Sequence, residues 1–227
     1  MIKENLETIR TRMAEAAARV HRTDEITLIA VTKNHPVECM IEAAACGITD
    51  VGENRVQEAL GKMEAFPDNH LTWHLIGHLQ TNKAKQAVAH FDLIHSIDSE
   101  HLLRAVDKEA GKIDKVQDIL LQVNVAREEQ KSGVEVEEFP QLCELAKEMP
   151  HVRVRGLMCM AQNTENLEEV RPVFRIAHAL YEDMKKKFSE GQICYLSMGM
   201  THDFEIAIEE GANMVRVGTA IFGPRNY

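Results

Sequence analysis

The segment Thr27-Leu-Ile-Ala-Val-Thr-Lys33 leads through Pro36 into Val37, Met40, Ile41, Ala44 and Ala45, and Gly47 follows. Its first half is short, β-rich and apolar throughout, the pattern of a strand buried on both faces, as in a parallel sheet. Proline is tolerated in a first helical turn, the apolar spacing after it is helical, and Gly47 is a stop. One strand feeding one helix is the βα unit from which α/β folds are built.

The unit recurs. Asp50–Gly52 precedes a helix over Val56–Phe66, Leu71–Ile76 one over Leu79–Ala89, and Leu93–Ile97 one over Glu100–Ala110. The run Ile119–Val125 leads to a helix carrying Val136, Phe139, Leu142, Cys143 and Ala146, closed by Pro150. Val152–Met160 is followed by a helix over Leu167–Phe188, Ile193–Leu196 by one over Phe204–Glu210 with Gly211 as stop, and Met214–Val217 is the eighth run. A helix over Ile2–Val20 precedes them all. Eight strands alternating with helices predict an α/β fold, a (β/α)8 barrel of TIM type with an extra leading helix over 1–21. An open doubly wound sheet is the competing arrangement. The length, 227 residues, lies near the lower end for the barrel and leaves little for a second domain, so 1–227 reads as one domain.

Composition narrows the function. Lys+Arg number 26 against Asp+Glu 36, a formal charge of −10. Nucleic acids and anionic membranes attract a surplus of basic residues, so neither is expected as a partner, and an anionic ligand must be held by a local site. Hydrophobic residues at 44% and charged residues at 27% give a globular balance, not a disordered one. No apolar stretch approaches the roughly 20 residues of a membrane helix, and charges interrupt the N-terminus where a secretory signal would be apolar. Cys39, Cys46, Cys143, Cys159 and Cys194 are odd in number and form no Cys-x-x-Cys pair. Reduced thiols in a cytoplasmic, monomeric protein are the expectation.

In such a barrel the active site lies at the carboxyl ends of the strands. Two features there carry chemistry. Ser197-Met-Gly-Met-Thr201 and Gly218-Thr219-Ala220 follow strands seven and eight, where barrels of this class frequently bind phosphate through backbone N–H groups and the start of a short extra helix. Tight turns rich in Gly and Ser are the simpler account of the same residues. The second feature is Lys33, ending strand one. At a barrel mouth its amine could form a Schiff base, although for one lysine taken alone a head that snorkels to water is the preferred account. Arg216 weighs on the choice. Val215 and Val217 share one face of strand eight and Met214, Arg216 and Gly218 the other. The valine face packs on helices, which turns Arg216 inward, where an unpaired charge is expensive and usually functional. A lysine, an inward arginine and a phosphate cradle at one mouth suggest a phosphorylated carbonyl cofactor.

Other groups read as structural. His74 and His78 lack a metal-binding pattern and are expected to make ordinary polar contacts. Met158, Met160, Met198 and Met200 read as core fillers, and Lys185–Lys187 as a solvated helix end. No Gly-x-Gly-x-x-Gly, Walker loop or Gly-x-Ser-x-Gly occurs, which disfavours dinucleotide, nucleoside triphosphate and hydrolase chemistry.

Ile29-Ala-Val-Thr-Lys33, Gly52-Glu-Asn-Arg-Val-Gln-Glu58, Trp73-His-Leu-Ile-Gly-His-Leu-Gln-Thr-Asn-Lys83 and Gln122-Val-Asn124 resemble segments of the pyridoxal phosphate homeostasis proteins. So do Lys131-Ser-Gly133, Arg155-Gly-Leu-Met158, Ser197-Met-Gly-Met-Thr-His-Asp203 and Val215-Arg-Val-Gly-Thr-Ala-Ile-Phe-Gly223, with Thr201 standing where that family more often has serine. The resemblance implies the barrel of the alanine racemase cofactor domain, fold type III of the pyridoxal phosphate proteins. It also implies a Schiff base between Lys33 and pyridoxal 5′-phosphate, with Arg216 facing the pyridine nitrogen and Asn54 beside the ring. Ser197, Gly218 and Thr219 would hold the phosphate. The implied role is in intracellular vitamin B6 homeostasis without established turnover, with apo-enzymes that use the cofactor as candidate partners. An amino-acid racemase is the alternative. It needs a second acid/base on the face opposite the lysine; in alanine racemase a second domain and a dimer partner supply it, and this chain has no length for that domain.

Overall fold

The computed structural model describes residues 1–67, 70–128 and 132–224. Its eight parallel strands are β1 (Thr27–Val31), β2 (Asp50–Glu53), β3 (Thr72–Leu75), β4 (Leu93–Ile97), β5 (Gln117–Gln122), β6 (Val152–Met158), β7 (Tyr195–Ser197) and β8 (Met214–Val217). Each pairs with the next, and β8 returns to β1, so the sheet is a closed barrel and not an open doubly wound one. Ile29 lies level with Asp50 of β2 on one side and with Arg216 of β8 on the other, which fixes the closure.

The helices are α1 (Ile2–Arg19), α2 (Val37–Ala45), α3 (Val56–Ala65), α4 (Ala84–His90), α5 (Glu100–Lys112), α6 (Phe139–Lys147), α7 (Arg171–Lys187), α8 (Phe204–Glu209) and α9 (Thr219–Phe222). Two of them begin later than their apolar spacing predicts. Pro140 and Pro172 sit in the first turns of α6 and α7. A proline has no N–H for a preceding turn and belongs at a helix start, so Val136 stays outside α6, and Leu167–Val170 forms a separate 3-10 turn before α7. The segment Thr81–Lys83 is likewise a 3-10 turn ahead of α4.

Strand alternation divides the core in two. Ile29, Leu93, Leu120, Met158 and Met214 form a small cluster of their own, which is the barrel interior. The other apolar faces, among them Ala30, Val51, Ile94, Val215 and Val217, join the large cluster between sheet and helices. Val215 and Val217 therefore pack outward as their spacing predicts, and Arg216 points inside. Helix α1 buries Ile2, Leu6, Ile9, Met13 and Ala16 at helical spacing. Each large side chain so buried contributes about 1.5–3 kcal/mol. The helix packs on α8, α9 and α2, outside the β8–β1 seam. Asn5 Nδ2 donates to the Ile221 carbonyl at 2.8 Å, and Arg12 and Arg19 pair with Glu205 and Glu209. The leading helix thus pins α9, whose first residue, Thr219, faces the barrel mouth. Among the described residues no helix is long and apolar enough to cross a membrane.

Candidate functional site

The carboxyl ends of the strands enclose a cleft of about 240 Å³. Val31 and Lys33 enter it from β1, Asn54 from β2, Ile76 from β3 and Met160 from β6; the loop after β7 adds Met200, Thr201 and His202, and β8 adds Arg216, Gly218 and Thr219. Five of the six residues expected at a cofactor site (Lys33, Asn54, Arg216, Gly218 and Thr219) therefore line this one cleft.

Arg216 is 3% exposed, yet among the described residues no carboxylate forms an ion pair with it. Its Nη1 donates to Ser197 Oγ at 2.6 Å and its Nη2 to the Cys159 carbonyl at 3.1 Å. Those bonds use two of five N–H donors. Burial lowers its pKa from the ordinary value, with Cys159 and Asp203 opposing, but a guanidinium remains charged. The same burial pushes the Cys159 thiol up to about 12, so that neighbour stays neutral. A buried cation that lines a cleft and has no direct ion-pair partner among the described residues calls for an acceptor or an anion.

Ser197 is the exception. Expected at the phosphate, it is fully buried and does not line the cleft. Register explains this: Ser197 lies level with Met214, one interior layer below Arg216, and its oxygen lies within hydrogen-bond distance of Arg216 and of His95. Thr201, four residues on, is the hydroxyl-bearing residue of the β7 loop that lines the cleft. The loop carrying it is built around Gly199, at φ 96°. A Cβ there would stand 2.6 Å from Ala207 Cβ and 3.0 Å from Phe204 Cα, so only glycine lets the loop fold onto α8. The Gly199 carbonyl accepts from Arg216 N at 2.9 Å, and Asp203 Oδ1 accepts from Met200 N at 2.6 Å. Burial raises the Asp203 carboxyl above its usual range, against the Met200 bond and the Arg216 charge.

A second cluster, which the sequence did not disclose, holds the turn bearing Lys33. Lys62 of α3 donates to Glu53 Oε1 at 2.6 Å, to Glu58 Oε1 at 2.8 Å and to the Thr32 carbonyl at 2.7 Å. Thr32 Oγ1 donates to Glu53, and Asn34 N donates to Glu58 Oε1 at 2.6 Å. Both neighbours of Lys33 are thereby tied to one buried ion cluster. Asn34 is left-handed at φ 60°, a conformation asparagine tolerates. Burial raises the Glu53 carboxyl, with Lys62 pulling the other way. Just past β2, Asn54 is set by Gly77, where a Cβ would lie 2.3 Å from the Asn54 carbonyl oxygen.

Among the described residues no group of three or more His, Cys, Asp or Glu side chains is arranged to hold a metal. His74 is buried and bonded to Asp50 and His95, whereas His78 is exposed. Met158 and Met198 are buried fillers, while Met160 and Met200 stand at the cleft. Lys131 of the Lys131-Ser-Gly133 motif lies outside the described residues.

The alanine racemase N-terminal domain family matches residues 2–226. The pyridoxal phosphate homeostasis protein of Aquifex aeolicus (strain VF5) is 44% identical over 225 residues, spanning 99% of this chain and 98% of that protein. The structure of PipY from Synechococcus elongatus PCC7942 with PLP bound superposes with a TM-score of 0.82 at 37% identity, covering 98% of this chain and 100% of that one. Alanine racemase from Streptomyces coelicolor A3(2) shares the fold alone, with a TM-score of 0.72 at 17% identity over 96% of this chain and 58% of the racemase.

Proposed function

The chain belongs to the pyridoxal phosphate homeostasis protein family, and from that membership we propose that it binds pyridoxal 5′-phosphate at the barrel mouth and serves the intracellular pool of that cofactor as a carrier or regulator, without turnover of its own. The observation that carries the reading is Arg216, buried without a direct ion-pair partner among the described residues and lining the same cleft as Lys33. When bound, the cofactor supplies an aldehyde that an amine captures and a ring that withdraws electrons.

The side chains fit that group. Lys33 is half-buried at the mouth, its turn held from both sides by the Glu53–Lys62–Glu58 cluster. Thr201 of the β7 loop and Thr219, the first residue of α9, both line the cleft and bring hydroxyl-bearing side chains to it for a phosphate. Gly218 keeps the wall close-packed there: a Cβ would sit 3.1 Å from the Val31 carbonyl oxygen, tighter than ordinary contact. Arg216 donates and never accepts, so it keeps a facing ring nitrogen unprotonated and weakens the ring as an electron sink. That disfavours carbanion chemistry and fits a holder better than a catalyst. The recipients in this reading are apo-enzymes that use the cofactor.

Incubation with pyridoxal 5′-phosphate, borohydride reduction and peptide mapping test the site. The adduct is expected on Lys33; an adduct on another lysine overturns the assignment. Pyridoxal without its phosphate should bind far more weakly, and equal occupancy would remove the phosphate role of the β7 and β8 loops.

One observation favours the racemase alternative: His202 stands on the cleft wall and is a possible second acid/base. Prolonged incubation with L-alanine followed by chiral chromatography decides between them. D-isomer formation that disappears in both Lys33→Ala and His202→Ala would replace the carrier with a racemase.

A further inference from the structure

Beneath the cleft a line of polar side chains crosses the barrel interior. Ser197 Oγ lies 2.6 Å from Arg216 Nη1 and 3.0 Å from His95 Nδ1; His95 Nε2 lies 2.9 Å from His74 Nδ1, and His74 Nε2 lies 2.7 Å from Asp50 Oδ1. Ser197 and His95 are fully buried, and His74 is nearly so. Five polar side chains from β2, β3, β4, β7 and β8 thus share the barrel interior with the apolar Ile29, Leu93, Leu120, Met158 and Met214. Burying so many polar groups is unfavourable unless each finds its partner.

The donor inventory gives the line a direction. A guanidinium cannot accept, so Ser197 Oγ accepts from Arg216, and its own hydrogen goes to His95 Nδ1. His95 then carries its proton on Nε2 and donates to His74 Nδ1, and His74 in turn donates from Nε2 to Asp50. The opposite direction would point two donors at Ser197 Oγ and leave its hydroxyl hydrogen without an acceptor. The charges agree with the first arrangement: every dipole runs from the cation at the mouth to the carboxylate at the foot. Burial, His74 and Arg216 hold the His95 imidazole well below its ordinary pKa, hence neutral. Burial raises the Asp50 carboxyl, but its bonds to His74 and Thr49 outweigh that and leave it ionised.

We propose that Asp50, His74, His95 and Ser197 form a one-directional hydrogen-bond chain that positions Arg216 at the cleft, with His95 and Ser197 as positioning residues. The inference rests on the reading of Arg216 as the group that meets the cofactor ring. The chain and the Cys159 carbonyl fix the two Nη atoms on the buried side, so the remaining donors have one orientation available. Without Ser197 Oγ the guanidinium keeps only the Cys159 bond and turns.

Two measurements test it. In ligand-free protein, long-range proton–nitrogen correlations of the imidazoles should show His95 and His74 protonated on Nε2 and bare on Nδ1. A proton on His95 Nδ1 in the wild-type protein overturns the chain, whatever the cleft binds. Titration with pyridoxal 5′-phosphate, followed by its absorbance, should then give about ten-fold weaker binding for Ser197→Ala, the scale of one lost hydrogen bond to a charged group. Ser197→Thr, which keeps the hydroxyl, should restore most of it, and the reduced adduct should stay on Lys33. Unchanged affinity in Ser197→Ala refutes the positioning role. Failure of the wild-type protein to bind the cofactor would instead refute the reading of the cleft, with the imidazole spectrum still deciding the direction of the chain.

Discussion

Replacing Lys62 by methionine keeps most of the side chain's volume and removes only the ammonium. In the native barrel that ammonium neutralises Glu53, which is 0% exposed, and Glu58, which is more accessible. Removing one partner of a buried ion pair costs about 3–5 kcal/mol, because the remaining charge is left desolvated. The lower end applies here, since Thr32 Oγ1 still donates to Glu53 and Glu58 can turn toward water. The loss expected in Lys62→Met is therefore about 3 kcal/mol at neutral pH. Its pH dependence is diagnostic. The native Glu53 pKa already lies above 4.5 because of burial, and losing Lys62 raises it further. An acid whose folded pKa exceeds its unfolded one binds more protons when folded, so stability is regained as pH falls through the folded value toward 4.5. Urea unfolding across that range measures it. Lys62→Met combined with Glu53→Gln should be more stable than Lys62→Met alone, because no buried charge remains. A loss below about 1 kcal/mol, or one that does not vary with pH, would refute the account of the cluster as a buried charge pair.

Three other perturbations have defined outcomes. Gly199→Ala should cost about 1–3 kcal/mol in urea unfolding, because the residue sits at φ 96° and its Cβ would press on Ala207 at 2.6 Å; an unchanged midpoint would mean the β7 loop is not tied to α8. His95, with a folded pKa well below 6.5, binds fewer protons folded than unfolded, so wild-type stability should fall by up to about 1.4 kcal/mol per pH unit on acidification below 6.5, a slope that His95→Gln should flatten. Thr201→Val should weaken pyridoxal 5′-phosphate about ten-fold, one hydrogen bond to a charged group, and leave pyridoxal unaffected, whereas equal losses for both would place the hydroxyl away from the phosphate.

The barrel was legible because its evidence is one-dimensional. A run such as Thr27–Val31 followed by a helix at i, i+3, i+4 spacing needs no partner to be read, and eight repetitions leave few ways to bury the faces. Side-chain parity was legible too, which is why Arg216 was placed inside from Val215 and Val217 alone. Helix starts were less so, since apolar spacing runs on past Pro140 and Pro172 while the backbone cannot.

Depth inside the barrel was not legible. Parity says that Ser197 and Arg216 both face inward, but the layer each occupies depends on the stagger between β7 and β8, a property of the closed sheet and not of either segment. Ser197 is level with Met214, so the residue that looked like a phosphate ligand lies one layer beneath Arg216 and bonds to it. The same stagger brings Asp50, His74 and His95 onto one line although 45 residues of sequence separate the ends of that trio. Each histidine taken singly reads as an ordinary buried polar residue, and only the register turns them into a path that ends on the wall of the cleft. For a (β/α)8 barrel, then, the mouth is found by looking just past the strands, while the groups that set the mouth's electrostatics must be sought one layer down, among inward polar residues with no apolar reason to be there.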